Sequence, residues 1–268
     1  MSPDLLLFCA AAVATGACVG ILAGILGIGG GLVLVPVLFE LMQRLGADEG
    51  TAVLTAVGTS LSSVVVTGLR SALSHHRRGS LDRSLVLAWA PAVIAGSLVG
   101  AEFATRMDPA SLLRAFAVVT VFLALNMAFG RSSWRLGEQP PSSPWRYAGG
   151  GTVGFIAALL GLGVAGLGVP LMTLFNAPMR NAVAAAALLG ALAAFPASIR
   201  FVIAGWDLPG LAPWSFGYIN LLGFVLIVPV AMLLTPLGVA WSHKVGQTVL
   251  KRIFAGFLTI NAMRMLLM

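Results

Sequence analysis

Apolar residues fill long uninterrupted stretches of this chain, and polar or turn residues come only in short clusters between them. The stretches fall at 5–27, 30–43, 50–72, 84–105, 110–129, 147–162, 165–176, 181–203, 214–238 and 247–267. Most approach the roughly 20 apolar residues that carry a helix across a hydrocarbon core. The pattern predicts an all-α polytopic membrane protein with about eight to ten transmembrane segments. The first stretch lacks the basic start of a secretory signal, carries Asp4 instead and runs past a signal's length, so it reads as a retained membrane helix. Two stretches are too short. As helices, 30–43 and 165–176 would reach only about 18–21 Å at 1.5 Å per residue, and each accompanies a glycine cluster.

The one polar, proline-rich linker is 131–146, with Glu138, Gln139, Pro140, Pro141, Ser142, Ser143 and Pro144. It divides the chain into a first membrane repeat, 1–130, and a second, 147–268. Gly27-Ile28-Gly29-Gly30-Gly31 followed by Pro36 matches Gly161-Leu162-Gly163-Val164-Ala165 followed by Pro170, with the glycine-to-proline spacing kept. Arg70 then aligns with Arg200, Asp82 with Asp207, and Leu112-Leu113-Arg114-Ala115-Phe116 with Leu250-Lys251-Arg252-Ile253-Phe254. Four landmarks in one order point to an internal duplication. The segment 70–83 holds four arginines and two histidines and reads as cytoplasmic, whereas 204–213 holds no basic residue. That reversal favours an inverted repeat with an odd number of crossings per half, against a parallel repeat of four spans.

Composition narrows the class. Of 268 residues, 59% are hydrophobic and only 9% charged, with a mean hydropathy of +0.98; soluble domains carry about 25% charged residues. A water-soluble enzyme is excluded. The net charge of +7 does not indicate nucleic acid, because the basic residues sit at the edges of apolar stretches, where they anchor loops. Cys9 and Cys18 would lie about 13 Å apart on one helix and cannot pair. His75 and His76 have no further ligand cluster, so neither a metal nor a cofactor is expected. No nucleophile–base pair or paired carboxylate suggests catalysis.

The glycine clusters carry the chemistry. Backbone that leaves helical geometry at membrane depth must be buried in protein or line a wet cavity. Breaks at matching points of two halves mark a transporter's substrate site. A short helix starting after such a break presents free N–H groups and a positive dipole end, which suits an anion. Close helix packing is the competing reading of the glycines, and it is the better one for the alanine-rich run 182–194. A dinucleotide fingerprint is excluded for want of a preceding strand and a soluble βαβ unit. Thr55, Gly58, Thr59, Ser60, Ser62 and Ser63 cluster in the stretch after the first break. Their hydroxyls either meet a substrate or bond back to their own helix, with Thr59 and Ser60 favoured for the site. Asn176 is a cap or a site member. Glu40 and Glu102 are the two carboxylates within apolar stretches, so they are the candidates for ion coupling, with interface anchoring as the alternative. Arg114, Arg200 and Arg264 either attract an anion or snorkel.

At these residues the chain resembles the sulfite exporter TauE/SafE family, also called the sulfonate uptake permease family. The likeness rests on Gly24-Ile25-Leu26-Gly27-Ile28-Gly29-Gly30-Gly31, Val35-Pro36 and Gly58-Thr59-Ser60, and extends to the degenerate second copy. That copy departs by placing Val164 and Ala165 at glycine positions and Leu189-Gly190 where Thr59-Ser60 stand. The resemblance implies a bacterial inner-membrane secondary transporter of sulfur-containing anions such as sulfite or organosulfonates. The substrate site it implies is Gly29, Gly30, Gly31, Thr59 and Ser60, with Gly163 and Gly166 opposite. The expected partners are a small anion and membrane lipid; a homodimer stays open. Potential-driven export is the favoured direction, against a proton- or sodium-coupled importer or a non-transporting membrane scaffold.

Overall fold

A computed structural model describes residues 3–26, 30–129, 137, 143–242, 256, 258, 259 and 263. The helices are α1 (Pro3–Leu26), α2 (Gly31–Arg44), α3 (Glu49–Arg77), α4 (Arg83–Ala104), α5 (Pro109–Phe129), α6 (Ser143–Leu160), α7 (Ala165–Leu174), α8 (Met179–Ala204) and α9 (Leu221–Ser242). A two-stranded hairpin, β1 (Ser215–Phe216) and β2 (Ile219–Asn220), precedes α9. The all-α polytopic class expected from hydropathy is what the chain adopts. Among the described residues α3, α4, α5 and α8 are long and apolar enough to cross a membrane, and shorter apolar helices cover Leu6–Ile21, Ala165–Leu174 and Leu221–Thr235. Apart from single positions, residues 131–142 of the expected linker 131–146 and the last stretch, 247–267, lie outside the described residues, while 143–146 form the first turn of α6 rather than linker.

Helix ends follow local chemistry. Asp48 accepts the Thr51 N–H at 3.0 Å and starts α3; Asp82 accepts the N–H groups of Ser84 at 2.9 Å and Leu85 at 3.3 Å and starts α4. Each satisfies a first-turn donor that has no intrahelical partner. Helix α3 runs past its apolar stretch to Arg77 and α6 starts before its own at Ser143; the largest difference is at α9. The stretch 214–238 turns helical only at Leu221, because Trp214 (φ 60°) and Gly217 (φ 55°) adopt left-handed backbone and fold 215–220 into the hairpin. Hydropathy registers those aromatic residues as apolar and is blind to their backbone angles.

Three helix pairs organise the molecule: α4 with α6, α1 with α9, and α3 with α8 make the most extensive contacts. Gly16 and Gly20 of α1 lie against the backbone of Ile227 and Ala231, and Gly96 and Gly100 of α4 against Gly151 and Phe155. Both pairs therefore run parallel, with small residues letting the backbones touch. In the third pair Gly58 faces Phe201 while Gly68 faces Ala187 and Ala191, so α3 and α8 run antiparallel. This geometry puts the start of α8, the start of α6 and the α3–α4 turn at one end of the bundle. That end collects Arg77, Arg78, Arg83, Arg146 and Arg180, and it holds the 70–83 segment expected on the cytoplasmic side. The hairpin and the start of α3 occupy the opposite end.

Candidate functional site

The start of α2 meets the second chain break. Helix α6 ends at Leu160, and Gly161 (φ 69°) and Gly163 (φ 73°) take left-handed backbone that side-chain-bearing residues rarely adopt before α7 begins. Gly30 caps α2, accepting the N–H groups of Val33 and Leu34 at 3.0 Å. Gly31 is pressed against this second break: a Cβ there would overlap the Gly161 carbonyl oxygen and lie 2.8 Å from Leu162 Cα. The Ser60 hydroxyl donates to the same Gly161 carbonyl at 2.7 Å, across 101 residues of sequence and fully buried.

Beside this junction lies a cavity of about 60 Å³, room for roughly four or five water-sized groups. Gly30 lines it from the first break and Gly163, Val164 and Ala165 from the second; Val64, Thr67, Gly68 and Ser71 of α3 and Ala186, Ala187 and Gly190 of α8 form its walls. No charged side chain is among its lining residues. Val33 apart, the first-turn N–H groups of α2 and α7 have no intrahelical acceptor, so the positive ends of two short helices converge on one small space. The hydroxyls of Thr67 and Thr235 donate to Ser63 and Ala231 carbonyls, at 2.8 and 2.7 Å, which uses their hydrogens. The donors available to a guest are therefore main-chain amides and the Ser71 hydroxyl. A larger groove of about 650 Å³ runs along α4 and α6, lined by Pro91, Ala95, Val99 and Phe155. None of its lining residues belongs to either glycine cluster.

The residues expected at the site divide by location. Gly30 and Gly163 line the cavity. Gly31 and Ser60 sit at the junction and tie the breaks together. Thr59 lies outside the cavity; its hydroxyl accepts the Asn220 N–H at 2.8 Å. Gly166 faces Leu123 at 3.6 Å from where a Cβ would stand. Gly29 lies outside the described residues. Ser62 and Ser63 bond back to the carbonyls of Gly58 and Thr59. Thr55 is fully buried, its hydroxyl without a partner among the described residues. Glu40 pairs with Arg44 at 3.1 Å on an exposed face, and Glu102 is held by both Arg106 and Arg200. Neither carboxylate lines the cavity. Asn176 turns the chain after α7 with φ 64°, and Arg264 lies outside the described residues.

Sequence reasoning missed Gly68, Ser71 and the Ala186, Ala187 and Gly190 wall. The alanine run was assigned to packing, and packing is part of what it does: Ala187 and Ala191 meet Gly68. The usable signal was that α8 follows the second break as α3 follows the first, so its small residues face the same space.

A model of the sulfite exporter TauE/SafE family matches residues 12–265. A probable membrane transporter protein of Haemophilus influenzae is 31% identical over 94% of this chain and 96% of its own length. Probable membrane transporter proteins of Methanocaldococcus jannaschii and Bacillus subtilis are each 25% identical, over 93% and 87% of this chain and 92% and 88% of theirs. No solved structure gives a significant match.

Proposed function

Because the chain belongs to the sulfite exporter TauE/SafE family and is a multi-pass membrane transporter rather than an enzyme, we propose that its cargo is a compact sulfur oxyanion of the sulfite type, carried outward. The observation that carries this reading is the convergence of the α2 and α7 N-termini, one from each half, on a single cavity. Main-chain amides at helix starts bind oxyanions without a counter-charge, and a cavity lined by no cation releases its guest readily enough for turnover. The volume favours a small inorganic oxyanion over a sulfonate with a bulky organic tail. Gly30, Gly163 and the amides that follow them form the anion contacts; Gly31 and Ser60 hold the two breaks in register.

We further propose that 1–130 and 147–268 are inverted repeats that rock against each other. Three features support this. Antiparallel α3 and α8 are the equivalent third helices of the halves, and the α1–α9 pair is matched by α6–α4 when the halves are exchanged. Gly16 and Gly20 precede Gly27 by 11 and 7 residues, as Gly150 and Gly154 precede Gly161 (27 − 16 = 161 − 150; 27 − 20 = 161 − 154).

Outward transport of an anion is favoured by the inside-negative potential, by about 2.3 kcal/mol per charge per 100 mV. Import would need a coupled cation, and the two carboxylates that would serve are committed to arginines away from the cavity. In proteoliposomes loaded with sulfite, efflux should accelerate as the interior is made more negative and should need no proton or sodium gradient. Efflux that ignores the potential, or that stops without a cation gradient, overturns the export reading.

A further inference from the structure

The end of the bundle opposite the arginines is closed by the hairpin, and one buried side chain holds it there. Asn220 is fully buried. Its N–H donates to Thr59 Oγ1 of α3 at 2.8 Å, its Nδ2 donates to the Pro213 carbonyl at 2.9 Å and Ser215 Oγ at 3.3 Å, and its Oδ1 accepts the Gly223 N–H at 2.8 Å. One residue thus joins the base of the hairpin, the first turn of α9 and the middle of α3. The hairpin also lies backbone-to-backbone on both halves. A Cβ on Gly58 would overlap the Tyr218 carbonyl oxygen, a Cβ on Gly205 would come 2.5 Å from the Tyr218 nitrogen, and the Tyr218 N–H donates to the Phe201 carbonyl of α8 at 3.3 Å.

This contact lies in line with the cavity. On α3 the hairpin covers Gly58 and Thr59, and the cavity lining starts at Val64 and continues through Thr67 to Ser71. Ser71 is six residues from the end of α3 at Arg77, about 9 Å along the helix. The cavity therefore lies toward the arginine-rich end, and the hairpin crosses α3 on the other side of it. Two hydrogen bonds, Asn220 to Thr59 and Tyr218 to Phe201, bind the hairpin to α3 and α8. Beyond these, the Phe216 ring packs edge-on against Trp206 just after α8, with centroids 4.8 Å apart, and the rest is close contact across glycines.

We propose that the 213–220 hairpin is the outer gate of the transport path, with Thr59 and Asn220 as its latch. The inference rests on the cavity being the substrate site and adds to it which element must move. Thr59 is a positioning residue on this account: it acts on the gate and does not touch the anion.

The test is hydrogen–deuterium exchange of the full chain in lipid nanodiscs, with and without sodium sulfite. Amides of 161–168, at the cavity, should exchange more slowly with sulfite; amides of 214–221 should exchange faster, as bound protein cycles through the outward-open state. T59V, which keeps the side-chain shape and removes the acceptor, should raise exchange of 214–221 about tenfold without sulfite and alter maximal efflux with little change in apparent affinity. T59S should restore both. If 161–168 is protected while 214–221 ignores sulfite, the gate is wrong and the cavity stands. If 161–168 gains no protection, the cavity reading falls and the gate with it. Should T59V fail to fold, the wild-type comparison alone still decides.

Discussion

At Gly31 and Gly166 the same substitution should have opposite consequences. A Cβ on Gly31 would overlap the carbonyl of Gly161, which cannot swing aside as a flexible side-chain tip would; on Gly166 it would meet Leu123 at ordinary van der Waals distance. Gly31→Ala is expected to lower unfolding stability by about 1–3 kcal/mol, the usual cost of overpacking, and to abolish sulfite-induced stabilisation as the breaks are pushed apart. Gly166→Ala should stay within about 0.5 kcal/mol of the parent. Thermal unfolding in detergent, with and without sulfite, checks both. In the sequence these glycines stand in similar motifs, and only the neighbour across the fold tells them apart.

Helix starts give a second set of expectations. Hydrogen bonds from the Thr51 side chain, then from its N–H, hold the Asp48 carboxyl below the usual aspartate range, and the Ser84 side chain followed by the Leu85 N–H does the same for Asp82. A carboxylate whose folded pKa is depressed adds stability that is complete above its unfolded pKa and is lost as pH falls through the folded one. Asp82→Ala and Asp48→Ala should each cost about 0.5–1 kcal/mol at pH 7, the low end for N-caps because both are solvent-exposed. The gap from the parent should close as pH drops below about 4; unfolding curves from pH 7 to pH 3 would show it. Elements were largely legible before any coordinates. The short runs after the glycines are α2 and α7, and the charge clusters mark the turns. The beginning of the stretch 214–238 was not legible, since Trp214 and Gly217 reverse the chain through backbone angles that hydropathy does not encode.

Across the whole molecule, the ion pair of Glu102 with Arg200 ties α4 of the first half to α8 of the second. Both side chains are about a third exposed or less, at 35% and 26%, so the pair is a clasp at the bundle's edge and contributes only modestly. Arg200→Gln should lower the melting temperature slightly, and adding Glu102→Gln should then cost only what its remaining exposed pair with Arg106 contributes, the signature of a shared interaction. Sulfite efflux by Glu102→Gln should keep the parent's rate and pH profile. Loss of flux or of its pH dependence in that variant would restore the proton-coupled importer.

The membrane class, the short helices after the glycine clusters and their order along the chain were determined by the sequence, because each follows from hydrophobicity, charge and glycine spacing within a few turns of helix. Tertiary structure alone decided which groups meet: the Ser60 hydroxyl on the carbonyl of Gly161, the N–H of Asn220 on Thr59, and the α8 alanines opposite Gly68. Those partners lie more than a hundred residues apart. A hydroxyl in an apolar helix looks the same whether it binds an anion, its own carbonyl or a distant backbone, until packing supplies the partner.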